Sequence, residues 1–492
     1  MKKRWLSIVS LILAVSLLAG CSAQGSATTA AATEAAQTTA AETTQTETDQ
    51  TETTQAETEG TTELESEETD VVVIGAGGAG LTAAYFAREG GKEVILLEKQ
   101  AMTGGNTAQA GFFAANSTHM QEEFGVTYTQ EDQYNFVMET PGVDPDFARL
   151  FVENSGPTAE WVVDTLGIEV TSVTGREIYS VDEDGRKLPN QMVSRLTEVD
   201  EEMGVDIRLQ SPATALIMED GRVTGVTVEG PDGAYNIMAD AVIIASGGFA
   251  ANKEMIAEYA PDWVDAPTSN TSATTGDGIL MAEAIGAATS NMTEFTFNPT
   301  LYDNNGVAMS VSGVRYEGGI LVTYEGERFT DEMANYSDVA YAEVEKADGK
   351  AWAIMDANSL ACNPNYAVSA DTIEELAELI SIDPDVLSQT IADYQAGYDS
   401  GEDEFGRTDM RSRLDEAPYY AVPVIPGVHH TRGGLSIDLD GRVLDTNGDA
   451  IPGLYAAGEV TDNKLLGNDP VAVGVTFGRL TAQTVLNDLS EE

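Results

Sequence analysis

Cysteine is almost missing from this chain: Cys21 and Cys362 are the only two among 492 residues. That excludes a disulfide framework, a four-cysteine zinc site and an iron–sulfur cluster, and there is no C-x-x-C-H for covalent haem. Cys362 reads as an ordinary packed thiol, and no metal site is expected. Histidine is scarce too: there are three, and two of them, His429 and His430, are adjacent. Positive charge is the third shortage, with 25 Lys and Arg against 82 Asp and Glu and a formal net charge of -57. Such a surface repels a phosphate backbone, which excludes nucleic acid as a partner. After Leu18 no long apolar run occurs, so no spanning helix is expected.

What is present begins with Lys2-Lys3-Arg4 and the apolar run Trp5 to Leu18, the layout of an export signal over residues 1–21. Leu18-Ala-Gly-Cys21 has the form of a bacterial lipobox. It would make Cys21 the lipidated N-terminus of an extracytoplasmic protein held to the membrane by its lipid alone. A plain secretory signal or a retained anchor is the alternative. Residues 22–67 are almost entirely Thr, Ala, Glu, Gln and Ser, without an aromatic residue. They cannot bury a core and are expected to form a disordered tether.

The strongest chemical signal follows the tether. Val71 to Ile74 is a short β-branched run suited to a buried parallel strand. Gly75, Gly77 and Gly80 follow at G-x-G-x-x-G spacing, and Leu81 to Ala87 reads as the start of a helix. The first glycine permits a tight turn, the second lets the backbone approach a pyrophosphate, and the third allows close helix–strand packing. Val94 to Leu97 reads as a second strand. Glu98 ends it roughly 20 residues past the glycines, where a carboxylate can accept ribose hydroxyls. Strand, glycines, helix, strand and acid in this order point to a dinucleotide.

Similar signals recur at both ends of the body. Ile207 to Leu209, Ala215 to Met218 and Val223 to Val228 read as strands, with Asp220-Gly221 as a hairpin turn. Ala241 to Ala245 runs into the glycine turn Ser246-Gly247-Gly248-Phe249. Val443 to Thr446 and Leu454 to Glu459 repeat the pattern, and Gly474 to Leu486 reads as a closing helix. A sheet assembled from both ends implies an insertion between them. The expected class is α/β, a Rossmann-like nucleotide-binding domain over 68–292 and 431–492 with an inserted α+β capping domain over 293–430. In the insertion, Asp371 is expected to cap a helix reaching Ile380, and Asp383-Pro384 to open one reaching about Tyr398.

Taken together, these residues resemble the flavoprotein subunit of fumarate reductases in its soluble flavocytochrome-type branch, which includes urocanate reductases and is related to ketosteroid dehydrogenases. The matching pieces are Val-Ile-Gly-Ala-Gly-Gly-Ala-Gly80, Leu-Glu98-Lys99, Gly104-Gly105-Asn106-Thr107, Ala245 to Phe249, Thr275-Gly-Asp277-Gly, Gly-Val-His429-His430-Thr-Arg-Gly-Gly434 and Gly-Leu-Tyr-Ala-Ala-Gly458-Glu459. The resemblance implies FAD. It implies cofactor contacts at Gly75, Gly77, Gly78, Ala79, Gly80, Glu98, Lys99, Gly104, Gly105, Asn106, Thr107, Gly111, Ala215, Gly247, Asp277, Gly458, Glu459 and Val475. It also implies hydride transfer from flavin N5 to an activated C=C, with an acid delivering a proton to the other carbon.

The substrate side departs from the family pattern. Asn298 stands for the family's histidine in His-Pro-Thr, and Val311-Ser312 for its Thr-Glu pair, while Arg315 matches its relay arginine. Tyr336 falls where fumarate reductases place the proton-donating arginine, and Lys464 where they place the carboxylate-clamping arginine. The pair His429 and His430 survives. The loop at Asp469-Pro-Val-Ala is one residue longer. Lysine cannot reproduce a bidentate guanidinium clamp, and Val311-Ser312 is expected to make one end of the pocket less polar. The expectation is therefore reduction of an unsaturated carboxylate or enone bulkier or less charged than fumarate, with electrons from a separate redox partner. Tyr336, Arg315, His429 and His430 are the candidate catalytic residues, and Asn298, Ser312 and Lys464 the candidate substrate contacts. A ketosteroid-type dehydrogenase and a surface electron carrier without a substrate are the alternatives.

Overall fold

The computed structural model describes residues 64–462, 464–467 and 469–491. The export signal, Cys21 and nearly all of the tether lie outside the described residues. Chain order begins with β1 (Ser66–Ile74), α1 (Gly78–Glu89), β2 (Val94–Leu97), α2 (Pro145–Leu166), α3 (Leu188–Met203) and β3 (Asp206–Arg208). There follow β4 (Ala213–Glu219), β5 (Arg222–Gly230), β6 (Gly233–Ile244) and α4 (Asp277–Glu283). β1 starts inside the stretch expected to be tether, because Ser66 and Glu67 pair with Asn236 and Ile237 and Glu67 forms an ion pair with Arg208.

The second region holds β7 (Phe295–Asn304), β8 (Val307–Ser310), α5 (Gly313–Tyr316), β9 (Ile320–Val322), α6 (Tyr336–Lys346) and β10 (Ala351–Met355). It continues through β11 (Val368–Ala370), α7 (Ile373–Leu379), α8 (Pro384–Ser400) and β12 (Tyr419–Thr431). β13 (Arg442–Leu444), β14 (Ala450–Ala456) and α9 (Pro470–Glu491) then return to the first sheet. Thr372, not Asp371, caps α7, its side chain accepting from the Glu375 amide. Asp383 caps α8 as its position before proline favours.

The first sheet runs β13-β14-β6-β1-β2-β3, and the β4-β5 hairpin joins it at β6. Its centre is parallel: Val71 pairs with Val94 on one side and Ala241 on the other, and Leu454 with Val242. Both faces are covered. Val71 and Val73 pack into the cluster holding Leu81, Ala84 and Phe477, while Val72 and Ile74 pack into that holding Ile279, Leu454 and Val428. A strand buried on both faces explains the unbroken Val-Val-Val-Ile, each side chain contributing about 1.5–3 kcal/mol. The second sheet is antiparallel, in order β8-β7-β12-β10-β9 with β11 on β12.

A buried ionic cluster stiffens that second region. Arg328 donates to both Glu332 oxygens at 3.0 and 2.8 Å, and Arg407 Nη1 donates to Glu332 Oε2 at 3.0 Å. Asp403 closes the cluster by accepting from Arg328 at 2.6 Å. Arg315 Nε donates to the Glu332 carbonyl and its Nη2 to the Ala334 carbonyl, at 2.6 and 2.7 Å. The turn that delivers Tyr336 to the start of α6 is thereby held from both sides.

Candidate active site

The parallel strands end together, and the turns beyond them form a cradle around the N-terminus of α1. Gly75 leaves β1 at φ 103°, and a Cβ there would stand 2.6 Å from the Ala245 carbonyl oxygen. A Cβ on Gly80 would stand 1.8 Å from the Gly75 carbonyl oxygen, so helix and strand meet at van der Waals distance only without one. Gly77, the N-cap of α1, has nothing within 4 Å of its Cβ position, and no side chain caps the helix. Gly105 and Gly247 also face open space. A ligand with a pyrophosphate fits here: three side-chain-free positions border a helix N-terminus whose first turn carries no acid.

Around this cradle, Thr107 Oγ1 accepts from the Gly78 amide at 3.1 Å, and the Gly104 amide donates to the Ala76 carbonyl at 2.7 Å. Glu98 is held at the end of β2, its oxygens accepting from the Ala76 and Gln100 amides at 3.0 and 2.8 Å. Asn106 ties the loop to Asn270, Thr271 and Thr274. Gly458 (φ 85°) and Gly474 lie against Ala79, and Val475 against Gly78. Lys99 and Asp277 are engaged with each other at 2.6 Å, Thr275 bridging both. Gly111 lies half-buried in the loop before Phe113, and Ala215 is exposed on β4 beside α4.

The two histidines end β12. His429 bonds through Nδ1 to Ser269 Oγ at 2.6 Å and stacks on Tyr336, ring centroids 5.4 Å apart and 15° from parallel. The His430 ring lies 3.9 Å from that of His429, and its Nδ1 is 3.7 Å from Glu459 Oε1. Burial, and then the neighbouring His430, holds His429 well below the ordinary histidine range, so it is neutral at pH 7. Thr431 anchors the strand end: its amide donates to Glu459 at 3.1 Å and its hydroxyl accepts from the Phe249 amide at 3.3 Å.

Arg315 lies over the Tyr336 ring, Cζ 5.2 Å from the centroid, and 5.4 Å from that of Tyr316. The Tyr316 ring lies 6.3 Å from that of Tyr336, tilted by 32°, and burial drives the Tyr316 phenol well above its usual range. The Val311-Ser312 end is built of hydroxyls and an amide. Ser312 joins a hydroxyl chain with Thr300 and Ser310 at 3.0 and 2.9 Å, and Asn298 is fully buried and bonded to Ser310 and Thr300. This end is polar but uncharged, its groups satisfied by one another. Lys464 Nζ lies 3.8 Å from Glu294, and its carbonyl accepts from Arg432 at 3.4 Å. Arg432, Ser269 and Tyr316 are site neighbours that sequence reasoning missed. Tyr316 alone carried a hint, following Arg315 directly.

Residues 70–472 match the family model described as FAD binding domain. The chain is 34% identical to the probable fumarate reductase Ifc3 of Shewanella frigidimarina, over 84% of this chain and 74% of that one. It is 31% identical to the urocanate reductase of Eggerthella lenta, over 84% and 74%. The chain spans about half, 48%, of the NADH:fumarate oxidoreductase of Klebsiella pneumoniae, at 33% identity over 86% of its own length. Among solved structures, the open conformation of a flavocytochrome c3 fumarate reductase superposes with a TM-score of 0.73 at 32% identity, over 86% of this chain and 78% of that one. A 3-ketosteroid dehydrogenase from Rhodococcus jostii gives 0.69 at 25%, over 87% and 98%. The glycine cradle and the histidine-ended strand thus sit in a chain that belongs to the FAD-binding fumarate reductase flavoprotein family, and FAD is its cofactor.

Proposed function

We propose that this protein reduces the activated double bond of an unsaturated monocarboxylate or enone, taking electrons from a separate redox partner. The observation that carries the reading is the stack of Tyr336 on His429 with Arg315 beside it, at the end of the strand anchored to the cradle. FAD, when bound, supplies the hydride for one alkene carbon. Neutral His429, its Nδ1 engaged by Ser269, has Nε2 left to polarise the substrate's carbonyl or carboxyl oxygen. Tyr336 gives its phenolic proton to the other carbon, and Arg315 stabilises the phenolate left behind. The uncharged Asn298–Ser312 network offers no counter-ion to a second carboxylate, which supports a substrate less anionic than fumarate.

The test is reoxidation of dithionite-reduced holoenzyme by a panel of unsaturated acids and enones. Fumarate should be among the slower oxidants, and Tyr336→Phe should lower the rate about 10²–10⁴-fold with the best one. Equal rates with fumarate would overturn the substrate assignment, and an undiminished variant the role of Tyr336. A second reading, oxidation of a saturated ketone, is favoured by the Tyr316 ring lying 6.3 Å from that of Tyr336, which gives the site two phenols. Assays run in both directions with artificial carriers separate the two. The basic leader and lipobox support placement outside the cytoplasmic membrane on a lipid at Cys21. Radiolabelled palmitate incorporated into wild-type but not Cys21→Ala protein checks this.

A further inference from the structure

α6 carries Tyr336 at its first position and Glu343 two turns later on the same face. Tyr336 faces the histidines. Glu343 is fully buried, and neither of its carboxylate oxygens has a hydrogen-bond partner. Val339 and Ala347, one turn to either side, lie in the apolar cluster of Val314, Leu321 and Phe329. The charged group that acts on Glu343 is Arg315, presented by α5; the other titratable neighbour is Tyr324, from the turn after β9. Arg315 is equally buried. Two of its nitrogens are taken by neutral carbonyls, and Nη1 has no partner. A single guanidinium therefore acts both on a phenol at the site and on a carboxyl in the core. Burial without hydrogen bonds pushes that carboxyl well above its ordinary range.

We propose that Glu343 is a positioning residue: as an uncharged acid it leaves the full charge of Arg315 to the phenolate formed at Tyr336, and on ionising it withdraws that support. The inference rests on the reading of Tyr336 as the proton donor. In that step the Tyr336 O–H bond breaks, a C–H bond forms on the substrate, and the negative charge stays on the phenolate until water returns a proton. An ionised Glu343 would draw on the charge of Arg315 from a distance and raise the cost of the phenolate. Turnover should then fall as pH rises through the ionisation of Glu343.

The direct test is ultraviolet titration of tyrosinate in FAD-loaded wild-type and Glu343→Gln proteins, each compared with its Tyr336→Phe counterpart so that the difference isolates Tyr336. Glu343→Gln should make Tyr336 about tenfold more acidic, a shift of about one pH unit. It should also move the alkaline fall in acrylate-driven flavin reoxidation to higher pH. Glu343→Met, also uncharged, should do the same and replaces Gln if that variant does not fold. Coincident titrations in wild type and both variants would overturn the proposal. A shifted titration with an unchanged rate profile would uphold the charge coupling and overturn the assignment of Tyr336 as the acid.

Discussion

Asp200 shows at the scale of one residue what an unpaired buried carboxyl does. It lies fully buried on α3, near Tyr85 of α1, with neither oxygen partnered, and burial pushes it up to about 8. Its folded value is above its unfolded one, so the folded state holds the extra proton between the two. The resulting stability is complete below about pH 4 and is lost as pH rises, by about 1.4 kcal/mol per unit up to about pH 8. Asp200→Asn should remove this slope, and denaturant titrations from about pH 5 to 9 should show the variant overtaking wild type as pH rises. Nothing in the sequence marks Asp200, since its helix is otherwise rich in exposed acids. Gly75, Gly77 and Gly80 were legible because their spacing encodes backbone geometry. Glu343 was not, because its meaning depends on Arg315, which reaches it only through the fold.

At the scale of elements, the first sheet could be read from the chain because its strands are local runs of buried aliphatics. The ionic cluster under Tyr336 could not. Arg328, Glu332, Asp403 and Arg407 meet across 75 residues, and in sequence they look like ordinary surface charges. Glu332→Gln should leave two buried guanidinium groups without their shared counter-charge. Unfolding stability should fall by about 3–5 kcal/mol, measured by denaturation of wild type and variant at one pH. Reoxidation by the best substrate should fall with it, because the Glu332 segment sets the position of Arg315 and Tyr336. The cap of α7 is a smaller case. Aspartate and threonine both accept from a helix amide, and the register one residue later wins because Thr372 Oγ1 reaches the Glu375 amide.

For the whole molecule, FAD is a folding ligand as much as a reagent. Cofactor that binds the folded chain alone adds about 2.7 kcal/mol at 100 times its dissociation constant. The melting temperature of the apoprotein should therefore climb with added FAD, and a flat response would mean that the cradle does not hold it. The net charge of -57 adds self-repulsion that ions screen. Melting should also rise as sodium chloride is raised from low ionic strength.

β12 belongs to the second sheet for most of its length, yet its last residue is fastened to the first through Glu459 and the Phe249 amide. Thr431 therefore joins the two sheets beside the place where His429 and His430 stand, and the same turns that border the cofactor cradle set the position of the histidine pair.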